Sequence, residues 1–274
     1  PSFDTNLLAS HDTTLVNDTF AELDADPLRP LINRTLKTLN PPASTFKLVV
    51  AAAALDSGKY TPESTFPNPP TWVLPGTTTS ISNYQGDTCG GAETATLATA
   101  LKLSCNIPIA QLAVELGDDA IREAAEKFGF NHEFALPLTS AISVFDSGLD
   151  DAQTALSGFG QADVTATPLQ VALISAGIAN DGVLMNPRMV DRVIGPDLSV
   201  QQSFENTEFG RALEKKDAQT LTEMMVANVD SGVASGARID GVDVAGKTGT
   251  AENGKNDPYT LWFTGFAPAD DPQV

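Results

Sequence analysis

"NPPASTFKLVVAAAAL", residues 40–55, is the stretch on which the reading of this chain turns. Leu48 to Leu55 is an unbroken apolar run, which predicts a helix made for burial in a core. Pro41 and Pro42 stop any earlier helix and set the entry to this one, and Gly58 and Pro62 close it. The predicted helix runs from 44 to 55, and its first turn carries Ser44 and Lys47. Residues three apart on a helix share a face, with Cβ atoms about 5–6 Å apart. A serine hydroxyl is a weak nucleophile until a base takes its proton. A lysine becomes that base where burial and nearby cations depress its pKa, and the positive field of a helix N-terminus favours an alkoxide over an ammonium. Alone the pair is weak evidence. Ser-x-x-Lys arises by chance roughly once in a chain of this size, and the plain alternative is the exposed first turn of a core helix.

The 274 residues suffice for one large domain or two small ones, and an apolar content of 42% marks a globular chain. The longest apolar run, 48–55, is far short of the ~20 residues of a membrane helix. No stretch reads as a signal peptide, and the chain opens at "PSFDTNLLASHD" without Met, as a piece of a longer protein would. With 16 basic against 35 acidic residues the net charge is −19. That argues against a nucleic-acid binder and against a free-standing attachment to anionic lipid, and it favours solubility. Two cysteines, Cys89 and Cys105, make neither a disulfide framework nor a four-ligand zinc site, although one bridge can form in an oxidising compartment. The only histidines, His11 and His132, sit in no nucleophile-elbow context, so a catalytic base is not expected to be histidine.

Along the chain, residues 60–92 read as loop with short strands, and 93–110 as helix, break, helix. Residues 111–130 read as two helical pieces split at Gly117, and 131–168 as loop. Thr167 and Pro168 open a buried helix. Residues after Gly182 alternate as strand, 206–231 form an amphipathic helix, and 242–266 form a β-hairpin turning over the polar stretch 252–258. Helices and strands in separate blocks predict an α+β fold, an antiparallel sheet flanked by helices plus a mostly helical subdomain.

Two further patterns carry chemistry. In "KLSCNIP", 102–108, Ser104 can relay a proton and the Asn106 amide can hold both a carbonyl and a lysine. The bland alternative is a Ser/Asn turn between helices. In "AGKTGTAE", 245–252, Lys247 offers a cation, Thr248 and Thr250 offer hydroxyls, and Gly249 permits close approach of another chain. The alternative there is a glycine-containing strand with a surface lysine. Each pattern occurs once, in the order 44, 104, 247.

That ordered triple resembles the penicillin-recognising acyl-serine transferases, which include penicillin-binding proteins and serine β-lactamases. "PPASTFK", "LSCNIP", "GFGQADVTATPLQ" and "AGKTGTAE" followed by "WFTGFAP", with "PSFDTNLL" at the start, extend the resemblance over nearly the whole chain. It is nearest the transpeptidase domain of class B, high-molecular-weight enzymes of actinobacterial type. The resemblance implies that residues 1–274 are a transpeptidase domain lacking the family's membrane anchor and pedestal and stopping short of a last strand and helix. It implies Ser44 as nucleophile, Lys47 as general base and Ser104 as proton shuttle. Asn106, Lys247, Thr248, Gly249 and Thr250 would bind substrate, and the amides of Ser44 and Thr250 would form an oxyanion hole. No metal or cofactor is implied. The implied partners are peptidoglycan stem peptide or lipid II, β-lactams, a separate glycosyltransferase and division proteins, at the outer face of the cell membrane. Carboxypeptidase or β-lactamase chemistry, and a penicillin-binding sensor or divisome scaffold, are the competing readings. An extracytoplasmic location also favours a Cys89–Cys105 bridge over two free thiols packed as small hydrophobes. Two departures stand out: Ala43 where glycine commonly precedes the serine, crowding the helix entry, and "GQA" at 160–162 where the family reads "GQG".

Overall fold

In the computed structural model, which describes residues 3–254 and 257–273, the apolar run lies at the centre of the molecule. The helices are α1 (Thr5–Leu8), α2 (Thr13–Ala25), α3 (Arg34–Lys37), α4 (Lys47–Asp56), α5 (Leu97–Lys102), α6 (Ile107–Leu116), α7 (Asp118–Lys127), α8 (Asp151–Ser157), α9 (Pro168–Ala179) and α10 (Lys215–Ser231). The strands are β1 (Thr65–Pro67), β2 (Thr71–Val73), β3 (Ser80–Ser82), β4 (Thr94–Thr96), β5 (Val183–Met185), β6 (Arg192–Ile194), β7 (Val200–Ser203), β8 (Glu208–Arg211), β9 (Ala245–Ala251) and β10 (Thr260–Phe266). Every residue of α4 from Lys47 to Leu55 is buried, because α5, α6, α7 and α10 surround it. Burying one of its Leu or Val side chains contributes about 1.5–3 kcal/mol. Phe46, just before the helix, stacks on Phe145 and meets Phe130 edge-on.

The fold is α+β, as the separate blocks predict. Its strands, among the described residues, form five two-stranded antiparallel ribbons rather than one larger sheet. The longest, β9–β10, pairs Ala245 with Phe266 through Ala251 with Thr260. Helix α10 packs on β9 and α9 on β10. A mostly helical region, α5 to α8, lies beside α4.

Several local expectations shift. The central helix begins at Lys47, and Ser44 sits in a 3-10 turn, Ala43–Thr45, because Ala43 takes a left-handed φ of 50° that interrupts α geometry. Residues 94–96 leave the expected helix to pair with β1, and 208–211 leave the other to pair with β5; in both cases a distant partner outweighs local propensity. Residues 151–157, expected as loop, form α8 under an Asp150–Gln153 capping box. The hairpin strand starts at Ala245, while Val242 bridges to Ile239 outside it. Gly117, at φ 82°, divides α6 from α7, and the Thr167 side chain caps α9, both as predicted. Lys255 and Asn256 of the expected turn, Pro1 and Ser2 of "PSFDTNLL", and Val274 lie outside the described residues. Among the described residues no helix is long and apolar enough to cross a membrane.

Candidate active site

The three motifs meet at the N-terminal end of α4, each delivered by a different local structure. Ser44 is presented by the 3-10 turn, which packs directly on β9. Glycine makes that approach possible: a Cβ on Gly249 would lie 3.1 Å from both the Pro42 carbonyl oxygen and Thr45 Cγ2. The close approach expected at Gly249 is therefore made by the protein's own Ser44 turn. Trp262 of β10 reinforces it, its indole N–H donating to the Pro41 carbonyl at 2.9 Å. On the other side, the Ala43 N–H donates to the Gly160 carbonyl at 2.9 Å.

The Ser104 turn is a helix C-cap. The Ser104 N–H donates to the Leu101 carbonyl and the Cys105 N–H to the Ala100 carbonyl, the paired bonds of a Schellman motif. Ser104 occupies its left-handed position with φ 58°. Glycine is usual there, and a serine costs about 1 kcal/mol more, a strain that this site bears to place a hydroxyl. Asn106 opens α6 without capping it by its own side chain. Its Nδ2 instead donates to the Ser82 carbonyl at 3.1 Å, which turns Oδ1 towards Lys47. Cys89 and Cys105 form a disulfide that ties this turn to the preceding loop.

Lys47 and Lys247 form the floor, at 0% and 1% exposure. Lys47 Nζ donates to the Ser104 carbonyl at 2.7 Å and to Asn106 Oδ1 at 2.8 Å. Lys247 Nζ donates to Ser104 Oγ at 2.8 Å and to the Thr248 carbonyl at 3.0 Å. Ser104 Oγ also lies 3.4 Å from Lys47 Nζ, so one hydroxyl joins the two amines. Neither lysine forms a salt bridge among the described residues. Burial, with the like charge of Lys247 adding to it, holds Lys47 well below the usual lysine range. Burial alone brings Lys247 down to about 7. Above this floor Ser44, Ser104, Asn106 and Thr248 are half-buried and Thr250 is exposed, lining an open rim.

The structure thus gathers all eight expected site residues from three segments. The pairing of Ser44 with Lys47 expected from helical spacing is not made as a hydrogen bond; Lys47 is turned towards the Ser104–Asn106 turn, whose acceptors outcompete a hydroxyl one turn away. Sequence reasoning missed Gly160 and Trp262 as supports of the Ser44 turn. Both stand in stretches that carry the resemblance, "GFGQADVTATPLQ" and "WFTGFAP", but their role was not legible there, since each acts on backbone more than a hundred residues distant in the chain. His132 packs edge-on to Phe134 and Phe209 beside α9, with no part in the cluster.

Known proteins share this fold. The family model described as the penicillin binding protein transpeptidase domain matches residues 1–274. The peptidoglycan D,D-transpeptidase PbpA of Mycolicibacterium smegmatis is 40% identical over 100% of this chain and 56% of its own length. The solved penicillin-binding protein A of M. tuberculosis superposes in its ceftriaxone acyl-enzyme complex with a TM-score of 0.93 at 39% identity, covering 99% of this chain and 62% of that one. Its penicillin G acyl-enzyme complex gives a TM-score of 0.92 at 38% identity, over 100% and 62% respectively. The chain spans about half the length of the curated relatives it matches. With its whole length matched and its motifs brought to one place, the chain belongs to the family of penicillin-binding protein transpeptidase domains.

Proposed function

We propose that this chain is the catalytic domain of a class B peptidoglycan D,D-transpeptidase acting at the outer face of the cell membrane. The observation that carries the reading is the pair of buried, unneutralised lysines joined through Ser104 Oγ. A neutral Lys47 amine has two N–H groups, which the Ser104 carbonyl and Asn106 Oδ1 occupy. Its lone pair is left for a hydroxyl proton. Ser44 Oγ would attack the carbonyl of the penultimate D-alanine of a stem peptide while Lys47 takes the Ser44 proton. The amides of Ser44 and Thr250 would receive the oxyanion. Ser104 would relay the proton now on Lys47 to the departing D-alanine amine, giving up its own and taking that of Lys47, as the peptide bond breaks and leaves an ester on Ser44. An acceptor amine from a second stem would then attack that ester, forming the cross-link and returning the proton to Ser44. Lys247, Thr248 and Thr250 would hold the terminal carboxylate, with Gly249 letting the Ser44 turn lie close against β9 and Asn106 holding the peptide. A β-lactam would enter the same site and remain as a stable ester. The named relatives, peptidoglycan transpeptidases and β-lactam acyl-enzymes, support this choice over a carboxypeptidase or β-lactamase. A glycosyltransferase and division proteins are the partners such a domain would serve.

Intact-mass spectrometry after incubation with a fluorescent penicillin tests the proposal. The expected result is one adduct on the wild type, mapped to the peptide holding Ser44, stable for many minutes, and none on Ser44→Ala. Rapid loss of the adduct would transfer the reading to a hydrolase. An adduct on Ser44→Ala, or none on the folded wild type, would overturn it.

A further inference from the structure

The Ser104–Asn106 turn is bracketed by two buried asparagines from other parts of the chain. We infer that Asn83 and Asn228 are positioning residues for acylation, clamping the turn at its two ends so that Ser104 and Asn106 keep their contacts with the two lysines. The inference rests on the proposed acyl-serine reading.

At the forward end, Asn106 stands at the N-cap of α6, where an asparagine side chain would ordinarily cap the helix. It is engaged elsewhere, on Lys47 and Ser82. The cap comes instead from Asn83, 2% exposed, whose Oδ1 accepts from the Asn106 N–H at 2.9 Å and the Ile107 N–H at 3.0 Å. Asn83 is itself held: its Nδ2 donates to Oδ1 of fully buried Asn68 at 3.1 Å. That same Asn68 oxygen accepts the Cys89 N–H at 3.2 Å. The cap is thereby locked to the loop that carries the disulfide.

At the rear end, α5 finishes in the Schellman motif, and its last carbonyls need donors. Asn228 of α10 adds a second donor to each from its Nδ2, to the Leu101 carbonyl at 3.0 Å and the Lys102 carbonyl at 2.7 Å, beside the backbone N–H groups of Ser104 and Val233 that these carbonyls already accept. Its Oδ1 is buried with no hydrogen-bond partner among the described residues. A buried acceptor without a donor is unfavourable and offsets part of what the two donated bonds contribute. Between the two clamps lies Ser104 in a left-handed conformation, which persists only where surrounding structure over-determines it.

The test measures the second-order rate of acylation by a fluorescent penicillin, across pH and well below each Tm, for wild type, Asn83→Ala, Asn228→Ala and Gln170→Ala. Gln170 is the control: an equally buried amide whose Nε2 donates to the Phe128 carbonyl, away from the turn. A released turn moves the acceptors that face Lys47, so the clamp variants should acylate about tenfold to a hundredfold more slowly. Their pH–rate limb should also shift, while Gln170→Ala keeps the wild-type rate and limb at a similar loss of Tm. Wild-type rate and limb in the clamp variants would overturn the inference, as would equal losses in all three variants. If Asn83→Ala does not fold, Asn228→Ala decides alone. A wild type that forms no adduct would defeat the acyl-serine reading and this inference with it; a wild type that acylates while the clamp variants match it would defeat the inference alone.

Discussion

Gly160→Ala places a methyl group against the nucleophile turn, where the backbone leaves no room for it. A Cβ at Gly160 would lie 2.2 Å from the Ala43 carbonyl oxygen, 2.6 Å from its nitrogen and 2.7 Å from its carbonyl carbon. All three are backbone atoms, so no side-chain rotation relieves the clash. Ordinary contact for a methyl group begins near 3.5 Å, so Ala43 must retreat by about 1 Å, carrying Ser44 with it. The retreat also breaks the bond from the Ala43 N–H to the Gly160 carbonyl, a loss of about 1 kcal/mol. Gly160 has φ 74°, where an alanine adds about 1–2 kcal/mol of strain. Together these predict a destabilisation of about 2–3 kcal/mol, or roughly 5–10 °C in Tm for a domain of this size. A displacement of that size at a nucleophile costs about a hundredfold in rate. The assay is the second-order acylation rate with a fluorescent penicillin at a temperature where both proteins are folded, with Tm from calorimetry. A Gly160→Ala protein with wild-type rate and Tm would refute the idea that the close backbone approach positions Ser44.

Lys247→Met should change stability in a pH-dependent way. The folded-state pKa of about 7 lies below the ordinary 10.5, so between those values the unfolded chain binds more protons and wild-type stability rises with pH. The buried ammonium is a full penalty below pH 7, and the substitution should therefore stabilise most there, by about 2–4 kcal/mol, with the advantage shrinking towards pH 10. Denaturant titrations at pH 6 and pH 9 check this, and an equal effect at both would contradict it. The same variant, by removing a like charge from beside Lys47, should move the pH limb of any residual acylation to higher pH. Cys89→Ala opens the bridge across a sequence separation of 16 and should cost about 3 kcal/mol in stability and slow acylation by freeing the Ser104 turn; an unchanged acylation rate would sink the second part. Ala162→Gly relaxes an exposed left-handed residue, φ 57°, and should stabilise by about 0.5–1 kcal/mol once the extra chain entropy of glycine is set against the strain, with acylation unaltered and Tm as the readout.

The two departures from the family's glycines have the same structural meaning. Ala43 and Ala162 both keep positive φ, 50° and 57°, so the backbone retains the conformation that glycine would suit, and the alanine carries the strain. The close packing at this point is between backbones: Gly160, having no side chain, leaves room for the Ala43 main chain.

What the amino-acid sequence determined by itself was local. The apolar run made α4 a core helix, because no arrangement leaves eight such residues in water. Thr167 and Pro168 started α9 and Gly117 separated α6 from α7, because capping and breaking depend on neighbours within a turn or two, and the three motifs nominated the candidate site residues. Only the tertiary structure decided the rest. Residues 94–96 and 208–211 became strands because Phe66 pairs with Ala95 and Leu184 with Gly210, partners no local window contains. Lys47 faces Ser104 and Asn106 rather than Ser44 because acceptors 57 and 59 residues away reach its amine. Its low pKa comes from burial by the whole core and from Lys247, far along the chain. Spacing in the chain can nominate a base and a nucleophile; the field and the acceptors that make one serve the other come from elements that meet only on folding.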